Sequence, residues 1–175
     1  MEAVTEVTPD PEKNYEIVNG QPEEKEMPGA IHGGVCGRLV LRSGSFVEAN
    51  KLGGMYVETG FQIGRNERIP DLAFISADRL PAEEPEGKWL IVPDLAVEII
   101  SPNDLYVKVT AKVGEYLNAG VKQVWLVAPE DRTITIYRSI TDIIAFPGDG
   151  ELVCEDLFPG FRCPLGDILR IRQSS

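Results

Sequence analysis

The clearest helical period lies in residues 107–119 (VKVTAKVGEYLNA), where Val109, Val113, Tyr116 and Leu117 recur on one face. Gly120 ends the pattern, as glycine does just past a helix. The strongest apolar run, WLIVPDLAVEII (89–100), comes before it, and Pro93 divides the run so that the strand begins near Asp94. Its nearly continuous apolar character predicts a strand covered on both faces. After the helix, KQVWLV (122–127) reads as a strand, and TITIY (133–137) alternates as another beyond the polar turn 129–132. Strand, helix, strand over 94–127 predicts a parallel pair joined by a right-handed crossover.

The pattern elsewhere is shorter. Tyr15–Val18 followed by Asn19-Gly20 reads as strand and turn. Residues 31–43 (IHGGVCGRLVLRS) predict a helix with Ile31, Val35, Leu39 and Arg42 on one side, weakened by three glycines. MYVETGFQIG (55–64) reads as a strand or bent hairpin, and IPDLAFIS (69–76) as a second strand. PAEEPEGK (81–88) is a charged, mobile loop. Residues 142–163 give short strand pieces, and Leu165–Leu169 a closing helical turn. The sum is a mixed α/β (α+β) domain. We assign residues 1–14, polar and without period, to a flexible N-terminal tail, and 15–170 to a single domain.

Composition narrows the function. At 43% hydrophobic, 175 residues suffice for one core. The net charge of −11 excludes a basic coat for nucleic acid, though not a small basic site. A single histidine, His32, excludes a multi-histidine metal site, and His32 itself reads as a helix-start or packing residue. Cys36, Cys154 and Cys163 form no CxxC pair, and free thiols suit a reducing cytoplasm. No apolar segment is long enough for a bilayer span, and the acidic start is no signal peptide, so the expectation is a cytoplasmic protein without a membrane partner. Trp89 and Trp125 read as core.

The informative chemistry is acidic. Pro70-Asp71 opens one strand, and Glu98 lies inside the next main one. Strand parity sets Asp94, Ala96, Glu98 and Ile100 on one face. A carboxylate within LAVEII is costly to bury uncompensated. Mg²⁺ held by two carboxylates, a backbone carbonyl and waters would compensate, and so would a plain ion pair with a lysine. At about 100° per residue, Lys112 falls roughly 60° from Val109 and borders the buried helix face. From there it can lean toward Glu98, or it can snorkel from the helix edge. Lys108 lies one turn back, nearer solvent. Arg65, Arg68, Lys108, Lys112 and Lys122 either make a basic rim or are a scattered, solvated set.

PDLAFISADRLP (70–81), PDLAVEIISPND (93–104), the K-V-G-E-Y-L-N-A-G-V stretch (112–121) and QVWLVAPEDRTITIYR (123–138) together resemble the Uma-two family. That family holds restriction-endonuclease-like proteins of the PD-(D/E)xK nuclease superfamily. YEIVNG (15–20) and His32 fit as well. The resemblance implies a restriction-endonuclease-like core, a mixed β-sheet flanked by helices, hydrolysing DNA phosphodiester bonds with Mg²⁺ or Mn²⁺ as a homodimer. It implies Asp71, Glu98 and Lys112 as catalytic residues, with Asp71, Glu98 and the Ile99 carbonyl on the metal. The superfamily lysine two positions after the second acid is replaced here by Ile100. Lys112, on the following helix, matches it instead. Ser101 matches a serine that shapes the turn. The superfamily often adds an acid from its first helix, but residues 31–43 carry none, which leaves Glu16, Glu26 and Glu48 as accessory candidates alongside Lys108. The competing expectation is a catalytically inactive binding or assembly module on the same fold.

Overall fold

A computed structural model describes residues 13–170. The expected tail, 1–14, thus lies mostly outside the described residues. Its last two residues join the first hairpin: the Lys25 amide donates to the Asn14 carbonyl, and Lys13 pairs with Glu24. That hairpin is β1 (Tyr15–Val18) and β2 (Gln21–Glu24), turned at Asn19 and Gly20, both at positive φ. Such a turn matches the twist of the two strands it joins.

The helix predicted over 31–43 is longer and broken. It comprises α1 (Ala30–Leu39), a π-helical turn (Val40–Gly44) and α2 (Ser45–Ala49). Within the π turn, the buried Ser43 hydroxyl donates to the Leu39 carbonyl four residues back. Val35 and Leu39 are buried as expected, whereas Ile31, in the first turn, is exposed.

The central sheet has six strands in the order β10-β9-β8-β7-β6-β3. These are β3 (Gly53–Val57), β6 (Leu72–Ser76), β7 (Leu95–Ile99), β8 (Gln123–Ala128), β9 (Thr133–Tyr137) and β10 (Ile143–Pro147). β7 and β8 are parallel, joined by α3 (Tyr106–Ala119), as the strand–helix–strand order predicts, and the other pairs are antiparallel. Gly120 at φ 101° ends α3 in the left-handed conformation that glycine adopts without steric cost.

The stretch 55–64 is not a hairpin. β3 lies in the six-stranded sheet, and β4 (Phe61–Ile63) in a second one of order β2-β1-β5-β4. β5 (Asn66–Arg68), polar in sequence, completes that sheet. β11 (Glu151–Val153), β12 (Arg162–Pro164) and α4 (Leu165–Leu169) close the chain.

Strand parity divides the core into two. Leu72, Phe74, Leu95, Val97, Ile99, Trp125 and Val127 face α1, α2 and α4. Ala73, Ile75, Ala96, Val124 and Leu126 face α3 and the second sheet, where they meet Val113 and Tyr116. Glu98 projects on this second side. No helix among the described residues is long and apolar enough to cross a membrane.

Candidate functional site

Three elements converge at the carboxyl end of β7. Asp71 is the last residue before β6, Glu98 and Ile99 are the last two of β7, and Lys112 lies mid-way along α3. Asp71, Glu98, Ile99 and Lys112 all line one cavity of about 250 Å³, together with Lys25, Glu26, His32, Ser101 and Lys108. A neighbouring cavity of about 320 Å³ shares Glu98, Ile99, Lys108 and Lys112 and adds Glu16 and Arg68.

Lys112 and Tyr116, one helical turn apart on α3, both reach Glu98. Lys112 Nζ stands 2.9 Å from Glu98 Oε1, and the Tyr116 hydroxyl donates to the same oxygen at 2.7 Å. Both of these contacts fall on Oε1. Burial raises the Glu98 carboxyl above its ordinary range; Lys112 opposes that rise, and Asp71 and Glu16 add to it. Lys112 also donates to Glu16 Oε1 at 2.9 Å. With two carboxylates on one ammonium, its pKa is raised despite burial.

Glu16 is held from the other side. Its Oε1 accepts from the Ile69 amide and its Oε2 from Arg68 Nη1, each at 2.9 Å. Arg68 also forks onto Glu115 of α3. β1 is brought here by its pairing with β5.

Asp71 is 2% exposed, and both its oxygens are engaged. Oδ1 faces Lys25 Nζ at 2.9 Å; Oδ2 accepts from the Ile99 amide at 2.6 Å and faces His32 Nε2 at 3.0 Å. These contacts outweigh burial and hold its carboxyl at about 2. His32 is raised in turn, chiefly by its bond to Asp71. It is a helix-start residue, but its polar edge is on Asp71 rather than packed in the core. Because Asp71 is depressed from its usual 3.8, its ionised form stabilises the fold fully above about pH 4, and that stabilisation is lost as pH falls through about 2. The difference corresponds to about 2 kcal/mol. Denaturant titrations at pH 5 and pH 2 should show a stability drop in the wild type that is smaller by this amount in Asp71→Asn. An equal drop in both proteins would remove Asp71 as the acid-sensitive group.

The remaining candidates separate. Glu26 is exposed at the cavity wall. The Ser101 amide donates to Asp104 Oδ2 and the Asp104 amide to the Ser101 carbonyl, which closes a tight turn. Glu48 is exposed on α2 and lines neither cavity. A continuous basic rim does not form. Lys122 pairs with the buried Asp94 at the opposite end of β7, and Arg68 is spent on Glu16 and Glu115. Lys25 and Tyr116 are site neighbours that the sequence did not single out, and His32, read there as a helix-start or packing residue, is a third neighbour. Tyr116 was legible only as an apolar position, and nothing in EEKEMPG (23–29) marks Lys25.

Among the described residues, no group of three or more His, Cys, Asp and Glu side chains forms a metal cage. What the site offers is a smaller, hard-oxygen set of two carboxylates. The Ile99 carbonyl, on the same edge of β7 as the amide that donates to Asp71, would supply a third oxygen. The surplus of carboxylate around Lys112, with Glu16 and Glu98 on one ammonium, suits a divalent cation such as Mg²⁺ with water completing its shell.

No curated protein matches the chain. A crystal structure described as "a putative nuclease belonging to DUF820" from Anabaena variabilis shares the fold at a TM-score of 0.81 and 25% identity, over 93% of each chain. The sequence profile of Uma2, described as "Putative restriction endonuclease", matches residues 2–166, and the chain therefore belongs to the Uma2 family.

Proposed function

We propose that residues 15–170 act as one domain, a metal-dependent endonuclease that hydrolyses DNA phosphodiester bonds. The observation that carries this reading is the meeting of Asp71, Glu98 and Lys112 on a single cavity. Asp71, Glu98 and the Ile99 carbonyl would hold Mg²⁺ or Mn²⁺. The ion, when bound, supplies Lewis-acid activation of the phosphate and a more acidic water. Lys112 holds a positive charge at the same wall, where it stabilises negative charge developing on phosphate oxygens. Tyr116 and Glu16 fix the rotamers of Glu98 and Lys112. Lys108, exposed at the mouth of both cavities, is placed to meet a backbone phosphate.

The reading includes a homodimer in a reducing cytoplasm. In its favour, the edge strand β10 (IIAFP) carries no charge and leaves Ile143 and Ile144 exposed, an edge open to strand pairing. The three free thiols favour the compartment. One observation favours the second reading, a non-catalytic binding module: both Asp71 oxygens already carry protein contacts.

Supercoiled plasmid incubated with the purified protein decides between them. Conversion to nicked or linear DNA in Mg²⁺ or Mn²⁺, abolished by EDTA, is expected. Intact plasmid at every metal concentration, with DNA still bound, would establish the binding module instead.

A further inference from the structure

Lys25 sits where a cation belongs. It is the first residue after β2, in a segment without regular structure that leads to α1. Its ammonium lies 2.9 Å from Asp71 Oδ1 and donates to the Ile69 carbonyl at 2.9 Å. The side chain is only 17% exposed, against 3% for Asp71, so this is a part-buried ion pair rather than a surface contact. It lines the cavity shared by Asp71, Glu98, Ile99 and Lys112. Of the other two lysines on that cavity, Lys108 is exposed and Lys112 is fixed between Glu16 and Glu98 on a helix. Lys25 is held by one carboxylate and one carbonyl from an irregular segment, and its long flexible stem can withdraw without moving β2 or α1.

We infer that Lys25 is a resident counter-cation of Asp71, which it holds in the metal-free protein and must release for a divalent ion to bind. The inference rests on the reading of Asp71 and Glu98 as metal ligands. Two positive charges cannot share Asp71 Oδ1 inside a part-buried cavity without strong repulsion. Metal binding is therefore an exchange of one cation for another. The displaced ammonium stays on the same wall, within reach of an anionic group of the substrate.

Mn²⁺ titration calorimetry on wild type, Lys25→Met, Lys25→Arg and Lys108→Met tests the exchange. Lys25→Met should bind Mn²⁺ at least about tenfold more tightly than wild type, since it no longer spends binding energy on expelling a charge. Lys25→Arg should gain nothing. Lys108→Met removes an equal charge from the same cavity without vacating Asp71, and should gain clearly less than Lys25→Met. Reductive methylation of wild-type lysines, read by mass spectrometry, gives an answer even if Lys25→Met does not fold. Lys25 should become several-fold more reactive when Mn²⁺ is added, while Lys112 stays protected. Binding no tighter in a folded Lys25→Met, or Lys25 still protected in the Mn²⁺-loaded protein, overturns the exchange. If Asp71→Asn abolishes Mn²⁺ binding in that case, the metal ligands still stand. Absence of Mn²⁺ binding to wild type and Lys25→Met alike removes the metal reading and the exchange with it.

Discussion

Glu98→Gln is expected to lower metal-dependent DNA cleavage by about a thousandfold or more while leaving the fold intact. Glu98 lines the cavity with a carboxylate whose partners Lys112 and Tyr116 both meet Oε1. A glutamine of the same shape keeps an acceptor for the Tyr116 hydroxyl and for Lys112, so the packing of β7 on α3 survives. It lacks the anionic charge that a divalent ion requires of its ligands. Burial already disfavours the charged form of Glu98, so neutralising it removes little folding free energy. The melting temperature should stay within a few degrees of wild type, while Mn²⁺ affinity and plasmid cleavage are lost together. Cleavage at the wild-type rate would remove Glu98 from the chemistry, and a collapse of the melting transition would assign it to stability instead.

The parts of this site that the sequence exposed are those governed by local periods. Parity within LAVEII is enough to turn Glu98 away from Leu95 and Val97, and the structure puts those two residues in one core cluster and Ala96 in the other. The angular position of Lys112 beside Val113 and Tyr116 needs only the helical repeat. Glu16 arrives by another route. It depends on the pairing of β1 with β5, a polar triplet with no strand signal of its own, registered by Ile17 opposite Glu67. His32 and Lys25 reach Asp71 across 39 and 46 positions, and no periodicity encodes such a contact. The same limit explains the misread 55–64 segment. Apolar residues on both sides of Thr59-Gly60 suit a hairpin equally well, and only the assembled core decides that β3 and β4 belong to different sheets.

Lys112→Met should be the more damaging change for stability, and nearly as damaging for activity. The ammonium is shared by Glu16 and Glu98 at 2.9 Å each, and its side chain is only 18% exposed. Removing it leaves two neighbouring carboxylates without their common partner, a situation that costs about 3 kcal/mol. Cleavage should fall by about a hundredfold to a thousandfold, as expected when a fixed positive charge at the developing phosphate charge is lost. Both carboxylates raise Lys112 above the ordinary lysine value, which favours a fixed positive charge over a base that takes a proton from water. Its stabilising contribution is present at neutral pH and is lost only as alkaline pH passes through that raised value. Lys112→Arg discriminates the two roles, because arginine keeps the charge yet cannot accept a proton near neutrality. Partial recovery of cleavage and of melting temperature in Lys112→Arg, with an unchanged pH–rate profile below pH 9, is the expected result. A Lys112→Arg protein that folds like wild type and cleaves no faster than Lys112→Met would show that the reaction needs the lysine's proton rather than its charge.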